Sequence, residues 1–171
     1  MLNNIVTILT FPGVIVHEWA HKTMCELFGV KVHKVVYFSL LGRNNGYVLH
    51  DEPNNYAQVF GISVGPLFFN SLLTVISTII AVQFFREDFL YYFLLWLAFS
   101  IGMHAFPSNG DAKNLMNYSK NVLKKWYNPL NWFHLLTFPL VFLIWIMNEL
   151  KIFWLDAAYS FLLIYVTIIN I

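Results

Sequence analysis

The sequence predicts an all-α integral membrane protein of about five transmembrane helices, with a small β-hairpin between the first two. Three observations carry this. Hydrophobic residues make up 58% of the 171 positions and charged residues 11%, against about 25% charged in soluble domains. The apolar residues gather into five segments of near-membrane length, whereas a soluble helix keeps one polar face. Between the first two segments the pattern changes to β-branched and aromatic residues around a turn rich in Gly and Asn.

The first span is expected over Ile5 to Phe28. Its start is apolar enough for a signal peptide, but it has no basic leader and no small-residue cleavage site, so it is read as part of the span. Lys31 to Leu40 should then pair with Tyr47 to His50 across Gly42-Arg43-Asn44-Asn45-Gly46. A two-stranded sheet is marginal alone, so this hairpin must lean on the membrane domain. The second span, Ala57 to Phe85, contains Gly61, Gly65 and Pro66, which predicts irregular first turns. The third covers Phe89 to Met103. After it, turn formers from Ala105 to Asp111 lead into a basic amphipathic stretch suited to the lipid headgroups. Trp132 to Met147 and Phe153 to Ile169 complete the set. No repeat or flexible linker divides the chain. It reads as a single domain, with 1–115 as the core and 116–171 as an amphipathic segment and two C-terminal spans.

Net charge is +1, so no nucleic-acid partner is expected; the partners are the lipid bilayer and whatever the bilayer carries. Lys31, Lys34, Arg43, Lys113, Lys120, Lys124 and Lys125 fall on one side of the predicted membrane, and Arg86 and Lys151 on the other. The positive-inside rule makes the seven-residue side cytoplasmic, with the N-terminus outside and the C-terminus inside. The lone Cys25 forms no internal disulfide and fits no zinc-finger spacing.

Inside the first span lies GVIVHEWAHK, Gly13 to Lys22. Helical residues four apart share a face, so His17 and His21 can offer ring nitrogens to one ion while Glu18 reaches a water on it. This is the HExxH arrangement. A metal, zinc by preference for these ligands, brings the water's pKa to about 7, and Glu18 takes its proton as a carbonyl is attacked. With six His and five Glu in the chain, such a motif would arise by coincidence at a rate of about 0.006. Three ionisable groups within five residues at membrane depth also need a shared task to offset their desolvation.

A catalytic zinc takes a third protein ligand. His33, His50, Asp51, Glu52, His104, Asp111 and His134 are the candidates. His17 and His21 should lie about 16 and 10 Å below the cytoplasmic end of the first helix. The third span ends on that same side, which brings His104 and the turn to Asp111 near their level. Asp111 is preferred, His104 being the alternative ligand or an outer partner. Asp111 could instead serve only as the cap of a helix beginning at Ala112.

HExxH in the first span, Gly65-Pro66 followed by Asn70 in the second, and Asp111 in a Pro-containing turn after the third resemble the site-2 protease family of intramembrane zinc metalloproteases. The resemblance covers about the first 115 residues, the three-helix core of that family. It implies one zinc held by His17, His21 and Asp111, Glu18 as catalytic base, a transmembrane protein substrate, and a site nearer the cytoplasm. Asn70 would be a substrate or oxyanion contact, or else a structural Asn bonding a neighbouring helix. Asn70 stands five residues after Gly65 where the family has four, and Gly110 precedes Asp111 where the family has it following. The chain is thus similar to a minimal, divergent member, with a non-proteolytic membrane metal-binding protein as the alternative. An extended substrate could add as a strand to the hairpin edge.

Overall fold

The first apolar segment is two helices, α1 (Leu2–Leu9) and α2 (Phe11–Leu27), where one had been expected; Thr10 between them has φ −113° and ψ 29°. Pro12 explains the break. Its nitrogen cannot donate to the preceding turn and its ring crowds that turn's carbonyl, so the helix stops and restarts with proline in its first turn. The break is anchored, because the Thr10 hydroxyl donates to the Val6 carbonyl at 2.8 Å and lies 2.9 Å from His104 Nε2.

The computed structural model describes residues 2–40, 45–86, 88–123, 132–149 and 154–171. After α2 the chain forms β1 (Val32–Val36) and β2 (Tyr47–His50), paired antiparallel with Val36 opposite Tyr47 and Val35 opposite Val48. The register shifts between Val32 and Lys34, so His33 is an extra residue on its strand. The first arm is shorter than Lys31 to Leu40. Single bonds extend the pairing at each end, from Asp51 N–H to the Lys31 carbonyl and from Ser39 N–H to the Asn45 carbonyl. The hairpin turn with Gly42, Arg43 and Asn44, and also Lys124, Lys125 and Lys151, lie outside the described residues.

Five further helices follow: α3 (Tyr56–Phe84), α4 (Phe89–Met103), α5 (Asn109–Leu123), α6 (Trp132–Glu149) and α7 (Leu155–Ile169). The expected irregularity around Gly61, Gly65 and Pro66 does not occur, since α3 runs unbroken through all three. Pro66 lacks the N–H that would bond the Ile62 carbonyl four residues back. The helix nevertheless continues, packed against α2, α4, α5 and α7, the setting in which a proline inside an apolar helix is tolerated.

The result is a mostly helical chain with one two-stranded antiparallel sheet among the described residues. One described helix, α3, is long and apolar enough to cross a membrane. Residues 89–103, 134–148 and 155–169 are shorter apolar helices, each about 22 Å long against a hydrocarbon core of about 30 Å.

Helix α3 is central, packed against α2, α4, α5 and α7, and α2 also packs on α4. The α2–α4 contact is close. A Cβ at Gly13 would overlap the Ser100 carbonyl oxygen and reach within 2.6 Å of the His104 ring, while Gly13 N–H donates to Ser100 Oγ at 3.1 Å. Asn70, Thr74, Thr78, Ser100, Ser119 and Ser160 are fully buried, whereas Phe84, Phe89, Tyr92 and Leu136 are 71–79% exposed. Small polar groups thus lie inside beside apolar ones such as Leu115 and Val141, and large apolar side chains are exposed. Thr74 and Ser160 satisfy their hydroxyls on the Ala98 and Phe99 carbonyls of α4, joining α3 and α7 to that helix.

Candidate metal centre

The helical period places His17 and His21 on one face of α2, and α3 and α4 cover that face, leaving the two residues 8% and 6% exposed. Their Nε2 atoms are 3.1 Å apart. Asp111, from the first turn of α5, brings Oδ2 to 3.2 Å from His21 Nε2 and 4.0 Å from His17 Nε2. Ligand atoms around a tetrahedral zinc with bonds of 2.0–2.1 Å stand about 3.3 Å from one another. Two of the three separations are within a few tenths of that value. Among the described residues this is the one group of three or more His, Cys, Asp or Glu side chains able to hold a metal.

The outer hydrogen bonds suit the same chemistry. His17 Nδ1 lies 2.7 Å from the His104 carbonyl oxygen. A carbonyl only accepts, so Nδ1 carries the proton and Nε2 turns its lone pair toward Asp111 and His21. Main chain at the end of α4 therefore orients the His17 ring, while His21 Nε2 faces His17 and Asp111.

Asp111 serves as cap and as candidate ligand together. Helix α5 begins at Asn109, two residues before Asp111 and three before the expected start at Ala112. Ser108 precedes it and accepts Asp111 N–H at 3.3 Å, while Asp111 Oδ2 accepts Ser108 N–H at 3.1 Å and Ser108 O–H at 2.6 Å. This reciprocal pair is a capping box. Burial pushes the Asp111 carboxyl up, but the His21 and His17 rings and the Ser108 bonds hold it below the usual carboxylate range. The turn is also tied from outside, because buried Asn148 of α6 donates to the Pro107 carbonyl at 2.7 Å. Sequence reasoning passed over Asn148. Its signal was an amide directly after the apolar run that ends at Met147.

The remaining candidates separate. The His104 ring faces Thr10 at 2.9 Å, and the His104 carbonyl meets the His17 ring, which matches the outer-partner reading. Asn70 is fully buried, with Nδ2 donating to the carbonyls of Ile101 at 3.0 Å, His104 at 3.1 Å and Gly13 at 3.4 Å. Those of Ile101 and His104 belong to the last turn of α4, where helix carbonyls lack intrahelical partners. The geometry gives Asn70 Nδ2 a helix-joining role, while its Oδ1 is buried with no hydrogen-bond partner among the described residues. His33 bonds Asp51 at 2.6 Å and His50 Nδ1 lies 2.7 Å from the Asp51 carbonyl, all at the exposed hairpin end with Glu52. His134 is buried against the Tyr56 ring with centroids 4.5 Å apart.

Glu18 is 8% exposed and follows His17 directly. The hairpin runs against it. A Cβ at Gly46 would sit 2.7 Å from Glu18 Cγ and 3.0 Å from Oε1, so only glycine lets the chain pass this close to the carboxyl.

Asn70→Leu removes the amide that holds the His104 carbonyl under His17 while leaving all three ligand side chains in place. Zinc affinity is expected to fall about 10- to 100-fold, read by competition against a chromogenic chelator. Unchanged affinity would separate Asn70 from the metal centre.

No family model, curated protein or solved structure matches this chain.

Proposed function

We propose that this protein is a zinc-dependent intramembrane endopeptidase of the site-2 protease kind, cleaving peptide bonds in membrane-spanning substrates. The observation that carries the reading is the convergence of His17, His21 and Asp111, from helices far apart in sequence, beside the buried carboxyl of Glu18. Zinc held by these three would supply a Lewis acid and bring the pKa of a water in the remaining position to about 7. Glu18 would receive the proton of the attacking water and pass it to the nitrogen of the leaving chain. His17 and His21 would stay neutral donors to the metal, with the His17 ring kept in orientation by the His104 carbonyl.

The membrane setting is supported by the length of α3, by the three shorter apolar helices, and by the exposed large apolar side chains over buried small polar groups. In this reading the chain is multi-pass, with the N-terminus outside, the C-terminus cytoplasmic, and the centre near the cytoplasmic face. Lys31, Lys34, Lys113 and Lys120 mark that face among the described residues. A peptide bond within a helix is shielded by its own hydrogen bonds, so a substrate must be unwound. The hairpin passing Glu18 at Gly46 offers an edge on which an extended chain can be held.

The test is cleavage, by the purified protein in liposomes, of a panel of single-span reporter proteins differing in helix stability. Extraction of metal with a chelator is expected to lower the rate at least about 100-fold, and one equivalent of zinc to restore it. Bound zinc with no reporter cut would favour a membrane metal-binding protein that is not a protease.

A further inference from the structure

A cleft of about 320 Å³ lies between α3, α5 and the end of β2 with the chain that follows it, and Asp111 is among its lining residues. One wall is a stripe along α5: Asp111, Asn114, Asn117, Tyr118 and Asn121. At 100° per residue these positions occupy one side of the helix. The buried residues Ala112, Leu115, Met116 and Ser119 occupy a second side, and Lys113 and Lys120 a third. A face that merely met water would be served by more residues like those lysines, because Asn is among the poorer helix formers. The three asparagines are exposed, and none bonds another described residue.

We propose that this asparagine stripe binds the main chain of the substrate segment that leads away from the scissile bond, as an extended peptide of about three residues. The inference rests on the protease reading. A carboxamide offers both a donor and an acceptor and carries no charge, which complements peptide N–H and C=O groups whatever side chains they bear. Asn114 to Asn121 spans about 10.5 Å along the helix, and three residues of extended chain span about 10 Å. The rest of the lining mixes polar His50, Glu52 and Ser63 with apolar Pro53, Val59 and Ile62. Such a cleft offers polar groups to a backbone and apolar ones to its side chains. Because Asp111 also lines it, a chain whose carbonyl lies at the metal centre has this cleft beside it.

The experiment uses zinc-loaded full-length protein in detergent and three probes: acetohydroxamate, and two hydroxamates carrying three alanines on one or the other side of the zinc-binding group. Affinities are measured by calorimetry. For native protein, one trialanine probe should bind at least about tenfold more tightly than acetohydroxamate, a modest share of what three main-chain hydrogen bonds offer. In the variant with Asn114, Asn117 and Asn121 all changed to Leu, that advantage should vanish while acetohydroxamate affinity stays as in native protein. Asn117→Ala alone, a milder change, should lose part of it. A tail that adds nothing, or an advantage that survives all three substitutions, overturns the cleft assignment with the metal centre intact. Failure of acetohydroxamate itself to bind zinc-loaded protein overturns the protease reading, and this inference with it.

Discussion

Glu18→Gln will retain one zinc per chain and lose cleavage by about a thousandfold, the scale expected when a positioned proton acceptor is removed. Glutamine has nearly the shape of glutamate. The narrow space between Glu18 and Gly46 is therefore filled as before, and the fold should be unchanged. No ligand is altered, so metal content is the internal control. What is lost is the ability to take a proton from water and return it to the leaving nitrogen. Rates for the variant within a few-fold of native would place the base elsewhere, and no difference in any assay would favour the non-proteolytic reading.

Asp111→Ala and His21→Ala will each bring zinc from about one per chain to near zero, because two remaining ligands do not hold a structural share of the coordination shell. Elemental analysis of detergent-purified protein reads this directly. Asp111 also closes the capping box with Ser108, so alanine additionally costs about 1 kcal/mol of helix stability. Asp111→Asn separates the two roles. Its side-chain oxygen can still accept from Ser108, while the anionic ligand is gone, so α5 should be retained and zinc lost. His104→Ala should keep zinc, since the group that orients His17 is a main-chain carbonyl. Zinc lost with His104→Ala and kept with Asp111→Ala would exchange their assignments.

The legible part of this protein is local. The spacing of His17, Glu18 and His21 needs only the helical period to become a shared face, and α4 runs from Phe89 to Met103 as its apolar run predicts. Failures came where a local rule met a tertiary neighbour or was applied to the wrong residue. Pro12 lies inside the apolar run of the first span and sits where a helix must stop and start again. Pro66 predicts irregular turns by the same local rule, yet α3 continues through it, packed against α2, α4, α5 and α7. The spacing of Asn70 leaves a substrate contact and a helix-joining role both open, and the burial and three carbonyl partners of its amide nitrogen follow from the packing of α2, α3 and α4.

By itself, then, the sequence determined a helical, apolar chain with a hairpin and two histidines and a glutamate on one helix, because hydrophobic pattern and residue spacing act over a few turns. Only the tertiary structure decided that Asp111 reaches the histidines, that the His104 carbonyl, 87 positions from His17, orients its ring, and that Asn148 steadies the turn between them. Such partners are chosen by which buried polar groups the packed helices leave without water, and a hydrogen bond across that distance in the chain leaves no periodicity to read.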